Sequence, residues 1–314
     1  MQPHRKPLLL AAVATLALAA APAPAPAPAA PEPAVAWRQV GDDARTGISG
    51  LALTANTAER IEALVVRDNK KPGDSRIAQL TYEKGESGTA SVTPVVWDGP
   101  EPVDLEAVEA VPGAPGEYVA LASRGLIYHL RATGGAVEVL DVSPLPAINE
   151  GADFESFALA PQPGGTVAVW ADRGAGTSRP ATVFAAPFSF DAYGNATFGA
   201  VRQQHFRASA PEGDIRHVSD IAVTDSGRIL VSSASDAGDD GPFASAVNEA
   251  GRVALDAPGQ RVRLRIDYAP TVLGTFPERK IEALECLPNS PDAALGTDDE
   301  NQGGHVTVAS LCGS

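Results

Sequence analysis

The sequence predicts an all-β fold assembled from repeated units, and three observations lead to this expectation. The first is composition: 30 glycines, 27 prolines and only 5% aromatic residues among 314 favour short strands joined by many turns. The second is that no stretch shows the sustained 3.6-residue periodicity of an amphipathic helix. The third is a short segment that recurs along the chain, which is the signature of a repeat architecture.

The recurring segment has the pattern apolar–Glu/Ser–small–apolar and opens a predicted strand. Its second position is occupied, in chain order, by Ser49, Glu106, Glu155, Ser219 and Glu282. The copies are about 50 to 65 residues apart, an interval typical of repeats that each form one small sheet. Each copy is followed by a turn and a second apolar strand, most clearly around the Thr-Asp-Ser-Gly turn at residues 224–227.

The further strands of each repeat predict how the chain closes. Second strands are predicted at 61–67, 118–123, 166–172, 228–233 and 293–298, and third strands at 76–82, 126–132, 181–188, 244–248 and 305–311. Fourth strands are predicted at 92–97, 136–142, 197–203 and 261–268. The fifth repeat has no predicted fourth strand, and the predicted strand at 35–40 belongs to none of the five repeats. Pairing 35–40 beside 305–311 would complete the last sheet and remove exposed edges.

This arrangement is a β-propeller of five four-stranded blades whose last blade is closed by an N-terminal strand. Six blades are the alternative, if the long segment 189–213 contains an irregular blade.

The N-terminus has the features of an export signal. A basic start at residues 4–6 precedes an apolar run at 8–20 and small residues suited to cleavage. We expect a signal peptide at 1–21, an Ala/Pro-rich spacer at 22–34 and one propeller domain at 35–314. The apolar run is too short to span a bilayer, and no second one follows. These features predict export to the periplasm or the medium of a bacterium.

The net charge of the chain and the motifs that it lacks exclude several classes of partner and cofactor. A net charge of −15 argues against nucleic acids and anionic membrane surfaces, which require basic patches. The chain has no P-loop, C-x-x-C, H-E-x-x-H or G-x-S-x-G motif, so no nucleotide or organic cofactor is expected. The expected partner is a small molecule or a protein bound on one propeller face, and the expected state is a monomer.

Two cysteines, Cys286 and Cys312, are the only ones in the chain. In an exported protein an even pair predicts a disulfide, with two buried thiols as the alternative. First and third strands of a blade lie roughly 9–10 Å apart, beyond the roughly 7 Å Cα separation that a bridge tolerates. A disulfide therefore requires the C-terminal tail to curl back past the end of its strand.

A candidate site follows from propeller geometry. First strands line the central channel, and second strands run antiparallel to them, so first-strand starts and second-strand ends meet at one channel mouth. That mouth would gather carboxylates and arginines from all blades, together with His217, which precedes a first strand. The residues predicted there are Glu106, Glu155, Glu282, Asp298, Asn301, Arg67, Arg124 and Arg173.

Two arrangements are compatible with the carboxylates and arginines predicted at this channel mouth. Converging carboxylates repel one another unless a positive charge lies among them, and Ca²⁺ bound by Glu106, Glu155 and Glu282 would supply it. Alternatively, the three glutamates pair with Arg67, Arg124 and Arg173 in a belt of ion pairs that keeps the blades in register.

Three segments, at 104–108, 280–284 and 296–301, resemble exported propellers of the phytase-like (esterase-like) group. They resemble more distantly the gluconolactonase and strictosidine synthase-like propellers. The resemblance implies a propeller, usually of six blades. In gluconolactonase-like propellers, carboxylate and amide side chains hold a divalent metal; Glu106, Glu155 and Glu282 correspond here, with Asp298 and Asn301 nearby. Ser49 and Ser219 depart from that pattern.

Two functions therefore remain open. One is a metal-dependent hydrolase of a small ester, lactone or phosphate ester, with Arg67, Arg124, Arg173 and His217 binding the substrate. The other is a non-catalytic propeller that binds a ligand or protein, with a structural Glu/Arg ring.

Overall fold

The computed structural model describes residues 35–235, 238–256 and 261–313. The predicted signal peptide and the whole of the predicted spacer, residues 1–34, lie outside the described residues. Within those ranges all regular secondary structure is β-strand, apart from one 3₁₀ helix at Glu300–Gln302. None of the helical segments in this part of the chain is long and apolar enough to cross a bilayer.

The first two blades follow the predicted order of strands. Blade 1 consists of β2 to β5, which span Gly50–Asn56, Arg60–Val66, Ile77–Glu83 and Ala90–Pro94. Blade 2 consists of β7 to β10, which span Leu105–Ala110, Glu117–Ala122, Leu126–Thr133 and Ala136–Pro144. A short strand, β6 (Val96–Asp98), runs parallel to β10 at the outer edge of blade 2. The predicted strand 92–97 therefore divides between two blades.

Blades 3 and 4 depart most from the predicted strand lengths. Blade 3 consists of β11 to β15, which span Phe154–Gln162, Gly165–Asp172, Ala181–Phe190, Ala196–Phe198 and Arg202–Phe206. Its predicted fourth strand is split into β14 and β15, and both pair with β13. Blade 4 consists of β16 to β19, which span Ile215–Val223, Arg228–Ser235, Ala244–Leu255 and Val262–Pro277. Its last two strands form a hairpin much longer than predicted.

Blade 5 closes the ring as expected. It contains β20 (Ile281–Cys286), β21 (Asp292–Thr297) and β22 (His305–Ser310). Its fourth strand is β1 (Arg38–Gln39), which pairs antiparallel with β22. The first strands β2, β7, β11, β16 and β20 contact one another in succession, and β20 returns to β2. The five-bladed propeller with an N-terminal closing strand is confirmed.

Each hydrophobic cluster lies between two neighbouring blades. One cluster joins blades 3 and 4 through residues such as Val169, Phe206 and Val231. Another joins blades 2 and 3 around Trp170, which is fully buried and stacks on Phe184. Five such clusters fill the five gaps between blades. Because every blade buries both faces against neighbours, the closed ring provides the core that no single blade could form alone.

The predicted disulfide joins Cys286 and Cys312, with their Cα atoms 5.9 Å apart. Cys312 lies beyond the end of β22, where its backbone N–H donates to the carbonyl of Pro291 at 2.7 Å. The tail therefore curls back past the strand end, as the spacing of first and third strands required. A disulfide is typical of an oxidising compartment, in keeping with export.

Candidate functional site

The start of each first strand presents one side chain at the central channel. In blades 2, 3 and 5 the strand pairing skips Glu106, Glu155 and Glu282, so each occupies a β-bulge. A bulged residue is unpaired and its side chain is re-aimed, here in the same way three times. We call the channel opening at these starts the upper mouth. We call the five equivalent positions the upper ring: Ser49, Glu106, Glu155, Ser219 and Glu282.

Glu282 is surrounded by positive charge. The Lys280 ammonium lies 3.0 Å from Glu282 Oε1, and the Arg216 guanidinium donates to the same oxygen at 3.1 Å. Lys280 is only 3% exposed and also pairs with Glu300. The nearby carboxylates raise the pKa of Lys280 despite its burial, so this amine remains charged.

Glu155 has weaker cationic neighbours. Arg173 Nη1 lies 3.7 Å from Glu155 Oε1, and Arg216 Nη1 lies 4.0 Å from Oε2. Arg173 also contacts Asp153 at 3.2 Å. Burial outweighs the attraction of both arginines and raises the pKa of Glu155 to about 8. Arg216 of blade 4 thus links Glu155 of blade 3 to Glu282 of blade 5.

Glu106 differs from the other two glutamates. Within the described residues it makes no ion pair, whereas Glu155 and Glu282 each make two. Burial, with the charges of Glu155 and Glu282, holds the pKa of Glu106 well above its ordinary value. Glu106 therefore keeps its proton to a higher pH than an ordinary glutamate, and in its protonated form it can donate a hydrogen bond or a proton.

The two serines of the upper ring carry hydroxyls without partners. Ser49 and Ser219 are each only 1% exposed, and neither Oγ has a hydrogen-bond partner among the described residues. A buried polar atom left unpaired usually marks a bound water, a ligand or a catalytic role. The upper ring therefore combines charged, protonated and unpaired polar groups in one place.

Asp68 adds a second type of carboxylate to the upper mouth. It follows β3 in blade 1 and is half-buried. Burial and the nearby charge of Glu282 raise its pKa to about 6, against the opposing effect of Lys70. Its own charge contributes to the raised pKa of Glu106. At neutral pH Asp68 is therefore mostly ionised.

The predicted arginines do not all face the glutamates. Arg173 contacts Glu155, as the belt hypothesis expects. Arg67 is buried and instead donates to the carbonyl of Arg45 at 3.0 Å. Arg124 is exposed, and its hydrogen bond goes to the carbonyl of Ala152 at 3.5 Å.

His217 is engaged by the backbone on both ring nitrogens. The N–H of Ala208 donates to its Nδ1 at 3.2 Å, so Nε2 carries the proton and donates to the carbonyl of Gly176 at 2.7 Å. Burial lowers the pKa of His217. This histidine is a neutral structural group in the described arrangement.

The predicted metal ligands are not gathered around one point. Asp298 is buried near Glu282, and its Oδ1 accepts the N–H of Glu300 at 3.0 Å. Asn301 turns to blade 4, where its amide donates to Asp240 at 3.1 Å. Among the described residues, no group of three or more His, Cys, Asp or Glu side chains is placed to hold a metal ion. With cations already at Glu155 and Glu282, the side chains do not fit a metal, and calcium binding stays a prediction.

The opposite opening, the lower mouth, is lined by the equivalent residues three positions further along. We call these the lower ring: Ala52, Glu109, Ala158, Ala222 and Glu285. The last four line a cavity of about 640 Å³ whose rim includes Cys286 and Cys312. No Lys, Arg or His is among the residues lining it in the described part of the chain. Burial raises the pKa of Glu285 to about 8 and, with the charge of Glu285, raises that of Glu109 well above its ordinary value.

Sequence analysis did not select three residues of the upper mouth: Arg216, Lys280 and Asp68. A weak signal existed for each of them. Lys280 and Arg216 are basic residues two or three positions before a ring residue, and Asp68 follows a second strand. Nothing in the one-dimensional pattern indicated that these side chains, rather than Arg67 and Arg124, would reach the glutamates.

Comparison with known proteins finds no matching family model and no matching curated protein. Solved structures similar to this chain include a luciferin-regenerating enzyme, at 11% identity and a TM-score of 0.40 over 89% of this chain and 96% of that one. A GH32 β-fructofuranosidase from Bombyx mori is similar at 10% identity and a TM-score of 0.44, over 85% and 63% of the two chains. A GH43 protein from Bacillus licheniformis is similar at 12% identity and a TM-score of 0.38, over 69% and 43%.

These likenesses are too distant for any residue or activity to be transferred from them to this chain. The resemblance to phytase-like and gluconolactonase-like propellers stays a prediction, and the fold is assigned from the blade topology itself.

Proposed function

We propose that the upper mouth is the active site of a hydrolase that acts on a small ester, lactone or phosphate ester through carboxyl acid–base catalysis. The observation that carries this proposal is the contrast between Asp68 and Glu106. Burial and neighbouring charges raise the pKa of Asp68 to about 6 and hold that of Glu106 well above its ordinary value, and the charge of Asp68 acts on Glu106. Pairs of titratable groups separated in this way commonly serve as base and acid of one reaction.

Each group has a role in this proposal. Asp68 takes a proton from the attacking water, and Glu106 donates its proton to the oxygen of the leaving group. The unpaired hydroxyls of Ser49 and Ser219 donate hydrogen bonds to the oxygen on which negative charge develops. Arg173, which is partly exposed, holds an anionic group of the substrate.

A pH–rate profile with aryl esters, small lactones and an aryl phosphate tests this proposal. We expect kcat/KM to rise as Asp68 ionises near pH 6. It should fall again at higher pH, as the carboxyl groups of the upper ring lose their protons; for Glu155 this occurs at about pH 8. The variant Glu106→Gln should lose activity by about 10²- to 10⁴-fold.

The matched control is Glu138→Gln, an exposed glutamate on β10 that lies 3.9 Å from Arg131. Its activity should equal that of the wild type. Lack of turnover of all three substrate classes, or equal activity of the two variants, would contradict the hydrolase.

A second candidate is a non-catalytic binding propeller with a structural upper ring. The ion pairs of Arg216 with Glu155 and Glu282 favour it, since they link blades 3, 4 and 5. In that case Glu106→Gln changes stability little, and no substrate is turned over at any pH.

A further inference from the structure

The cavity at the lower mouth has the size of a small-molecule site. Its volume of about 640 Å³ lies within the range of roughly 300–1,000 Å³ that is usual for ligand pockets. Residues of blades 2, 3, 4 and 5 line it, so it belongs to the closed ring rather than to one loop. Its apolar lining includes Pro112, Leu159, Pro161, Val223, Leu287 and Pro288.

Two glutamates of the lower ring lie at the inner end of this cavity. Glu109 and Glu285 both line it, and the charge of Glu285 raises the pKa of Glu109. The apolar residues Pro112 and Leu287 follow them along the chain. Because each first strand runs from the upper mouth to the lower one, these later residues lie nearer to the opening. The cavity therefore has two carboxyl groups at its inner end and apolar surface towards its entrance.

The carboxyl group of Glu285 has no partner among the described residues. It makes neither an ion pair nor a hydrogen bond there, and burial alone raises its pKa. Glu109 differs, because the backbone N–H groups of Ala110 and Leu159 bind its carboxyl group and oppose the rise in its pKa. A polar group left unpaired inside a protein often marks a bound water or a ligand.

The other charged groups around the cavity are also acidic. Asp225 lines it, and Asp220 of β16 is buried and adds its charge to that of Glu285 around Glu109. The oxygens of Asp220 are already occupied, since they accept backbone N–H groups at 2.7 and 2.8 Å. No Lys, Arg or His lines the cavity within the described ranges, so the charged side chains there attract a cation and none repels it.

The C-terminal tail forms one wall of the cavity and is held in place. Cys286, Cys312 and Gly313 line the cavity, and the disulfide joins the tail to the end of β20. The guanidinium group of Arg228 donates to the carbonyl of Gly313 and pairs with Glu249 at 2.8 Å. A wall that is fixed before a ligand arrives lowers the entropic cost of binding.

We propose that this cavity binds a small primary amine, with the ammonium group at Glu109 and Glu285 and an apolar tail directed towards the opening. An ammonium group has three N–H donors and can bind both carboxylates at once. A metal ion and a quaternary ammonium lack their usual ligands, because the described residues provide no group of three or more His, Cys, Asp or Glu side chains placed to hold a metal and no aromatic ring in the cavity lining. The proposal does not depend on the chemistry of the upper mouth.

Calorimetric titration of the full chain with 4-phenylbutylamine at pH 9 tests the proposal. Analogues with the same tail that end in an alcohol, a carboxylate or a trimethylammonium group are the matched probes. We expect the amine to bind saturably and at least about tenfold more tightly than each analogue. Its affinity should increase about tenfold from pH 7 to pH 9, because a pKa of about 8 makes the carboxylate form of Glu285 about ten times more abundant over that interval.

Two variants locate the binding site. Glu285→Gln and Glu109→Gln each remove one carboxylate and should weaken binding of the amine about tenfold or more. The matched control is Glu138→Gln, an exposed glutamate of β10, which should change the affinity less than about twofold. Thermal unfolding of each variant checks that it is folded.

Each of five results would overturn the proposal. They are the absence of saturable amine binding at pH 9, an equal affinity for any of the three analogues, an affinity that does not change between pH 7 and pH 9, unchanged binding by a folded variant of either glutamate, and equal binding of a lysine-containing peptide with the same dependence on Glu285. The last result would identify a protein partner in place of a small amine.

Discussion

Blades 2 and 5 each place one glutamate at the upper mouth and one at the lower mouth of the channel. The negative charge of these glutamates is neutralised differently at the two mouths. Blades 2 and 5 repeat the pattern Glu-Ala-apolar-Glu, which places Glu106 and Glu282 in the upper ring and Glu109 and Glu285 in the lower ring. At the upper mouth Lys280, Arg216 and Arg173 lie beside the ring. At the lower mouth no basic side chain lines the cavity in the described residues, and the carboxyl groups retain protons instead.

This difference shows that the repeat alone does not set the charge of a ring. Equivalent positions in equivalent strands become ion-paired or protonated according to the basic residues that lie near them in the folded ring. Cations at the first-strand starts can reach only the upper mouth, because the strand then carries the chain away to the other opening. We therefore expect loss of a cation to affect only the upper mouth, whereas a change of pH should affect both mouths.

The largest effect is expected from Lys280→Met. This substitution removes a buried ammonium 3.0 Å from Glu282 and leaves that carboxylate with Arg216. Breaking a buried ion pair by removing one partner costs about 3–5 kcal/mol. Denaturant unfolding at pH 7 measures the loss in the free energy of unfolding.

The control Arg60→Met breaks an exposed pair whose arginine side chain is 57% exposed, and it should cost less than about 1 kcal/mol. Adding Glu282→Gln to Lys280→Met should recover part of the loss, since the buried charge is then gone. Equal stability of Lys280→Met and Arg60→Met would show that the upper ion pairs are not structural.

A smaller, pH-dependent effect is expected from Glu285→Gln at the lower mouth. The pKa of Glu285 rises on folding to about 8, so its contribution to stability is complete below its unfolded pKa and is lost as pH rises through 8. Glutamine cannot ionise. The variant should match the wild type at pH 5 and exceed it by about 1–2 kcal/mol at pH 9, after allowing for solvent screening.

Unfolding curves of Glu285→Gln at the two pH values, with the exposed Glu138→Gln as control, measure this difference. A difference from the wild type that does not change with pH would contradict the protonated state of the lower ring.

Glu155→Gln sharpens the comparison, because the pKa of Glu155 also rises to about 8 although two arginines lie near it. At pH 9 the substitution removes a buried charge but also removes a partner of Arg173 and Arg216. We expect a smaller gain at pH 9 than for Glu285→Gln, under about 1 kcal/mol. Marked destabilisation in the same unfolding assay would instead identify a structural belt at this residue.

The smallest effect is expected from calcium. Lys280 and Arg216 already place positive charge beside the glutamates, so millimolar Ca²⁺ should leave Tm within about 1 °C of its value in chelator. A ligand that binds only the folded state must raise Tm by mass action, so a clear increase would establish the predicted metal site. Repeating the scan with Glu106→Gln would then show whether this glutamate is a ligand.

Much of the fold could be predicted because propeller repeats are local. Alternation, turns and the recurring Glu/Ser position indicated five blades, and the orphan strands at both ends indicated how the last blade closes. The long β18–β19 hairpin was underestimated, because its outer half is stabilised by packing against blade 3 rather than by its own turn signals. The division of 92–97 between two blades was missed because β6 pairs in parallel with β10 of blade 2, a contact that no local turn signal indicates.

The sequence by itself determined the five blades, the closing N-terminal strand, the disulfide and the convergence of Glu106, Glu155 and Glu282 on one mouth. All of these depend on the alternation of residues within strands and on the correspondence between repeats, and both can be recognised in the sequence. Only the tertiary structure decided which cations meet those glutamates and which carboxyl groups have raised pKa values. These outcomes depend on burial and on side chains of different blades, such as Arg216 lying between Glu155 and Glu282, and electrostatic energy changes steeply with such distances and with exposure to water.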